Sequence, residues 1–120
     1  MNLSLAERVD YLEQIVVNNC PISKLALSKR WNVEKIDLIY DIFDKYSEMY
    51  NKKCCDFTYA TIERDFNEIG IGRQDLKSII LIFGETGRYE NVIKHYLETN
   101  YQTFENISSE FIGLWRKYFQ

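Results

Sequence analysis

Ile79-Ile80-Leu81-Ile82-Phe83 is the most apolar run in the chain, and the fold turns on whether it is a strand or a buried helix. Five apolar residues in succession fit either. Leu76, upstream of the run, and the short breakers at 70–75 (GIGRQD) and 84–90 (GETGRYE) favour a buried helix from about Arg73 to Phe83. The strand reading stays open for residues 78–84.

Outward from that run, helical periodicity dominates. Upstream, a helix is expected over about Tyr59–Ile69, carrying Ile62, Phe66 and Ile69, with Gly70 as its left-handed stop. Before it, Asn51-Lys52-Lys53-Cys54-Cys55-Asp56 reads as a loop. A longer helix, about Glu34–Tyr50, places Ile36, Ile39, Tyr40, Phe43 and Tyr46 on one side. Trp31-Asn32-Val33 is a turn, and Pro21 suits the first turn of a helix over about Pro21–Arg30 with Ile22, Leu25 and Ala26 inward. At the start, Ser4 and Glu7 form a capping box for a helix over about Leu5–Asn18. Leu5, Val9, Leu12 and Val16 make one apolar stripe on it, expected to face the core. Downstream, a helix over about Tyr89–Thr99 presents Tyr89, Val92, Ile93, Tyr96 and Leu97. A last one, about Ser109–Phe119, has Ser108 as its expected cap. The expected fold is all-α: a compact single domain, residues 1–120, of about six or seven short helices.

Composition narrows the function classes. The 120 residues are 46% hydrophobic and 28% charged, as in globular proteins rather than disordered ones. Aromatics reach 15%, more than a small helical core needs, so some rings are expected at the surface, where Tyr and Trp suit protein interfaces. The net charge of −3 and pI near 5.2 disfavour binding to phosphate backbones. Residues 34–68 hold nine acidic and five basic side chains, read as a solvated face. No apolar run approaches the ~18 residues of a membrane span. Cys20, Cys54 and Cys55 do not make a disulfide framework and suit a reducing, cytoplasmic location.

Residues that could carry chemistry are few. His95 is the one histidine, and Cys54-Cys55 lack the paired spacing of a zinc site. Asp37, Asp41 and Asp44 share a helix face without a matching acidic partner helix. Cys54 and Cys55 lie beside Lys52 and Lys53, which would lower a thiol pKa, but the sequence places no base next to them. No nucleophile elbow or phosphate-cradling glycine loop occurs. The expectation is therefore no catalytic residue, no metal and no cofactor.

Two binding readings remain. Residues 22–36 are similar to the entry of a helix-turn-helix, with Lys24, Lys29, Arg30 and Lys35 as its cations; the acids of the next helix would face phosphates. At the other end, Phe111, Leu114 and Tyr118 are expected inward, with Trp115 and Phe119 reaching out beside Arg116. Tyr101 and Phe104, in an expected loop, add to that end. The candidate partner-binding residues are thus Tyr101, Phe104, Trp115, Arg116 and Phe119. A self-interface at this aromatic end is a third option.

Through residues 7–13 (ERVDYLE), 29–34 (KRWNVE), 66–69, 76–83 and 87–93 (GRYENVI) the chain resembles, in overall layout, the YhaI-like family of small helical bacterial and prophage proteins of unknown function. In size and style the chain is also similar to phage-encoded anti-defence inhibitors, one of which blocks a defence-associated sirtuin-type NADase. The resemblance implies a stoichiometric inhibitor of a host protein in the bacterial cytoplasm, without enzymatic activity. The segment Ser109–Phe119 lies beyond the family's shorter pattern.

Overall fold

The structure, a computed structural model, describes residues 4–18, 21–54, 56–104 and 109–119, and of residues 14–18, 21 and 104 the backbone alone. The fold is all-α. Its elements are α1 (Leu5–Asn18), α2 (Pro21–Lys29), α3 (Val33–Asn51), α4 (Tyr59–Glu68), α5 (Arg73–Thr86), α6 (Glu90–Phe104), a 3-10 turn (Ser109–Phe111) and α7 (Ile112–Phe119). By contacts the chain divides into two units, residues 1–40 and 41–120.

In the first unit, α1 packs on α2 around Tyr11, Ile22, Ala26, Trp31 and Ile39. The expected capping box forms: the Glu7 amide donates to Ser4 Oγ (3.1 Å), and the Ser4 amide to Glu7 Oε1 (3.4 Å). Glu7 does more. Its second oxygen accepts from the Val33 amide (3.0 Å), the first residue of α3. The hydrogen bond from the Val33 backbone is the main cause holding the Glu7 carboxyl below the usual range. The Tyr11 hydroxyl donates to the Trp31 carbonyl (2.7 Å).

These anchors correct one expectation. Leu5, Val9 and Leu12 do not face the core; they are 71%, 43% and 48% exposed. Glu7 and Tyr11 lie on the other side of α1, and their bonds to the α2–α3 turn and the start of α3 decide which face turns inward. The side chain of Val16 lies outside the described residues.

In the second unit the run Ile79–Phe83 is helical. Leu76, Ile79, Ile80, Phe83 and Gly84 are all buried, the i, i+3, i+4, i+7, i+8 pattern of one helix face. They meet Phe43, Tyr46, Ile62, Phe66, Val92, Ile93, Tyr96 and Leu97 in the core. Phe43 sits at its centre, 5.5 Å from the Phe66 ring, 4.9 Å from Phe83 and 5.2 Å from Tyr89. Aromatic pairs at such spacings add roughly 0.5–1.5 kcal/mol each beyond burial. Among the described residues one carboxylate is buried in this unit: Asp65 is 9% exposed and accepts from the Lys45 ammonium (2.6 Å) and the Tyr46 hydroxyl.

Four helices close alike. Trp31, Cys54, Ile71 and Arg88 return their amides to the carbonyls of Ala26, Met49, Phe66 and Phe83, and the residue before each is left-handed. Two of those, Gly70 and Gly87, are glycines; the other two are Arg30 and Lys53.

Two further expectations change. α6 runs on to Phe104, so Tyr101 and Phe104 are helical rather than in a loop. The last segment begins as a 3-10 turn before α7. The expected cap Ser108 lies outside the described residues, as do Cys20 and Cys55. Cys54 is exposed and not in a disulfide. Among the described residues no helix is long and apolar enough to cross a membrane.

Candidate functional site

α7 is eight residues long, too short to persist without tertiary support. Two devices hold it against α5. Its buried Leu114 occupies the space where Gly84 has no side chain: a Cβ there would lie 2.7 Å from both Leu114 methyls. Lys117 Nζ then donates to the carbonyls of Gly84 (2.8 Å) and Glu85 (3.2 Å), and the Tyr118 hydroxyl also donates to Gly84 O (2.6 Å). These carbonyls belong to the last turn of α5, which has no intrahelical donors left for them. A lysine there also meets the negative end of the helix dipole. Burial raises the Tyr118 pKa, with the charge of Glu90 adding to it, so the hydroxyl stays a donor.

With Leu114 and Tyr118 turned to α5, the opposite side of α7 carries Trp115, Arg116 and Phe119. Trp115 stacks on Tyr101 of α6, ring centres 4.9 Å apart and planes 29° from parallel. Phe119 follows, 4.3 Å from the Trp115 ring at 32°. Lys94 Nζ lies 5.9 Å from the Phe119 centroid, within reach of a cation–π contact. The result is a three-ring ladder joining α6 to α7. Tyr101 is 42% exposed, Trp115 and Phe119 are half-buried, and Arg116 is exposed. Exposed Ile112 lies one turn before Trp115.

Of the five residues expected to bind a partner, the fold brings Tyr101, Trp115 and Phe119 into one stack, with Arg116 on the same helix. The side chain of Phe104 lies outside the described residues. Sequence reasoning missed Lys94 and Ile112. Lys94 is signalled by its position seven residues before Tyr101 on α6, the same helix face; this becomes legible once α6 is known to reach 104.

The residues of the nucleic-acid reading fall on α2 and its turn. Lys24, Lys29 and Arg30 are exposed and Lys35 is half-buried in the first turn of α3, which Asn32 caps through its Oδ1 (2.9 Å to the Lys35 amide). Glu34 and Asp37 are exposed beside them. A cleft of about 220 Å³ in this unit is lined by Tyr11, Ile22, Ser23, Val33, Ile36, Asp37 and Tyr40. That is below the ~300–1,000 Å³ of small-molecule sites.

Elsewhere, His95 Nε2 donates to the Phe57 carbonyl (2.6 Å), tying the segment after α3 to α6. The Asp37, Asp41 and Asp44 carboxylates are all exposed, and Asp44 accepts from the Tyr89 hydroxyl (2.6 Å). Among the described residues no three His, Cys, Asp or Glu side chains are placed to hold a metal ion.

No family model matches this chain, and neither a curated protein nor a solved structure matches it.

Proposed function

We propose that this protein is a non-enzymatic binding module for another protein, and that the Tyr101–Trp115–Phe119 ladder with Arg116 is its contact surface. The observation that carries this is the ladder itself. Three aromatic rings share a face that is partly open to solvent, flanked by two cations. Aromatic and arginine side chains dominate binding energy at protein interfaces because they bury much area with few rotamers to freeze. The finer reading rests on the likeness in size and style to phage anti-defence inhibitors: the partner is a bacterial defence enzyme of the sirtuin-type NADase class, and the module acts by occupying it in fixed stoichiometry.

The test is an affinity pull-down from bacterial lysate at moderate and high salt, with wild type and Trp115→Ala in parallel. One large protein retained by wild type at both salts, and lost by the variant, supports the reading. Addition of the module to a purified NADase of that class, with NAD⁺ hydrolysis followed, tests the finer one.

A second reading, a small helix-turn-helix regulator using Lys24, Lys29, Arg30 and Lys35, draws on the three-residue turn Arg30-Trp31-Asn32 between α2 and α3. Against it stand Glu34 and Asp37 at the start of the helix that would enter the groove. Nucleic acid recovered at moderate salt and lost at high salt would favour it.

A further inference from the structure

The outward stripe of α1 has the spacing of a coiled-coil seam. Leu5, Val9, Leu12 and, in sequence, Val16 are separated by four, three and four residues. Written as a heptad, leucines hold the d positions and valines the a positions. Leucine at d with a β-branched residue at a is the combination that favours two parallel strands. Leu5, Val9 and Leu12 are exposed, while Glu7 and Tyr11, which tie α1 to its own unit, lie roughly 150° away around the helix at 3.6 residues per turn. The helix therefore arrives capped and anchored, with Leu5, Val9 and Leu12 exposed. Association need not nucleate it, which removes the main cost of so short a coiled coil.

The flanking charges specify an occupant. In this register Arg8 holds a g position and Glu13 the e position of the next heptad, and both are exposed. In a parallel pair, g faces the following e of the other strand, so Arg8 of each copy meets Glu13 of the other, twice by symmetry. In an antiparallel pair g faces g and e faces e, so Arg8 and Glu13 are not brought together.

We propose that α1 pairs in parallel with α1 of a second copy of this chain, through a Leu5–Val9–Leu12 seam closed by reciprocal Arg8–Glu13 ion pairs. This surface is distinct from the aromatic ladder and independent of its role. A seam of little more than one heptad is smaller than the ~1,200–2,000 Å² of stable complexes, so the pairing is concentration-dependent.

Sedimentation equilibrium of the full chain from about 5 µM to about 1 mM tests it, since this range brackets weak dissociation constants. The expected result is a rise toward twice the chain mass. Leu12→Lys, at an exposed site, is expected to hold the chain at monomer mass with an unchanged far-UV circular dichroism spectrum. Arg8→Glu and Glu13→Arg each place like charges across the seam and are expected to weaken pairing about tenfold or more; combined in one chain, or mixed as two chains, they restore it. A wild-type chain that stays monomeric throughout overturns the proposal. So does a dimer indifferent to Leu12→Lys or to the charge reversals. A dimer dissolved by Trp115→Ala instead assigns self-association to the ladder, which also overturns it. The ladder's own role fails by a different result, unaltered partner capture by Trp115→Ala.

Discussion

Gly84 has no room for a side chain because Leu114 already fills it: a Cβ at 84 would stand 2.7 Å from both Leu114 methyls. One glycine thus does two things. Its missing side chain admits α7, and its carbonyl accepts the Lys117 and Tyr118 donors that fix the helix in place.

Gly84→Ala is therefore expected to destabilise the protein. Alanine in a helix interior gains about 1 kcal/mol over glycine. Displacing a buried leucine costs about 1–3 kcal/mol, and both methyls must move, so the clash wins. Leu114→Ala alone should cost about 2–5 kcal/mol by opening a cavity. The double substitution should cost less than the two single effects together, by about 1 kcal/mol or more, because the new methyl enters the vacated space. Urea unfolding of the four proteins measures this; strict additivity would remove the account of Gly84.

Trp115→Ala should weaken partner capture by more than ~1 kcal/mol while leaving the unfolding midpoint close to wild type, as for an interface residue that is only half-buried. Titration calorimetry with the captured partner reads the first, and thermal unfolding the second. Wild-type affinity in a folded variant would remove the ladder from the interface.

Asp65 gives a prediction in acid. Burial raises its pKa, but hydrogen bonds from Lys45 and Tyr46 and the charges of Lys45 and Arg64 outweigh burial, so the carboxyl sits below its ordinary value of 3.8. A depressed carboxylate contributes stability that is present above the unfolded pKa and lost as pH falls through the lower folded value. The protein is expected to lose stability below about pH 4. Asp65→Asn should flatten that loss and cost about 1–3 kcal/mol at neutral pH, since it weakens two bonds at a buried site. Unfolding free energies measured from pH 2 to 7 decide it.

Tyr89 gives the complementary prediction in alkali. Burial, then its hydrogen bond to the Asp44 carboxylate and that group's charge, push its pKa up to about 12. The neutral hydroxyl is the bonded form. Its contribution is complete below the ordinary value of 10.0 and is lost as pH rises through the folded one. Asp44→Asn should bring the Tyr89 ring signal, followed by NMR, into titration at lower pH. An unchanged titration would show that the bond does not form in solution.

Lys53 occupies a left-handed turn (φ 61°) that ends α3 and is exposed. Glycine relieves that strain, worth roughly 1–2 kcal/mol, at the expense of a more flexible unfolded chain. Lys53→Gly is expected to raise stability by about 0.5–1 kcal/mol in urea unfolding. A loss would mean that Lys53 makes contacts worth more than its strain.

Much of this protein was legible in its sequence because helix signals are local. The Ser4–Glu7 cap, the Gly70 stop, the buried face Leu76–Ile79–Ile80–Phe83 and the inward Phe111 and Leu114 need only neighbours within a turn or two. The candidate aromatic residues were legible by type alone. Which way an amphipathic helix faces is not a local property. Leu5, Val9 and Leu12 form the most regular stripe on α1, yet they point outward, because Tyr11 and Glu7 on the other side find the Trp31 carbonyl and the Val33 amide, 20 and 26 residues away. The meeting of Tyr101 with Trp115 across 14 positions likewise depends on α7 being seated on Gly84. The sequence by itself determined which segments are helices and where most of them stop. Only the tertiary structure decided which faces are buried, since a buried polar group such as the Tyr11 hydroxyl or the Trp31 carbonyl must find its partner wherever in the chain that partner lies.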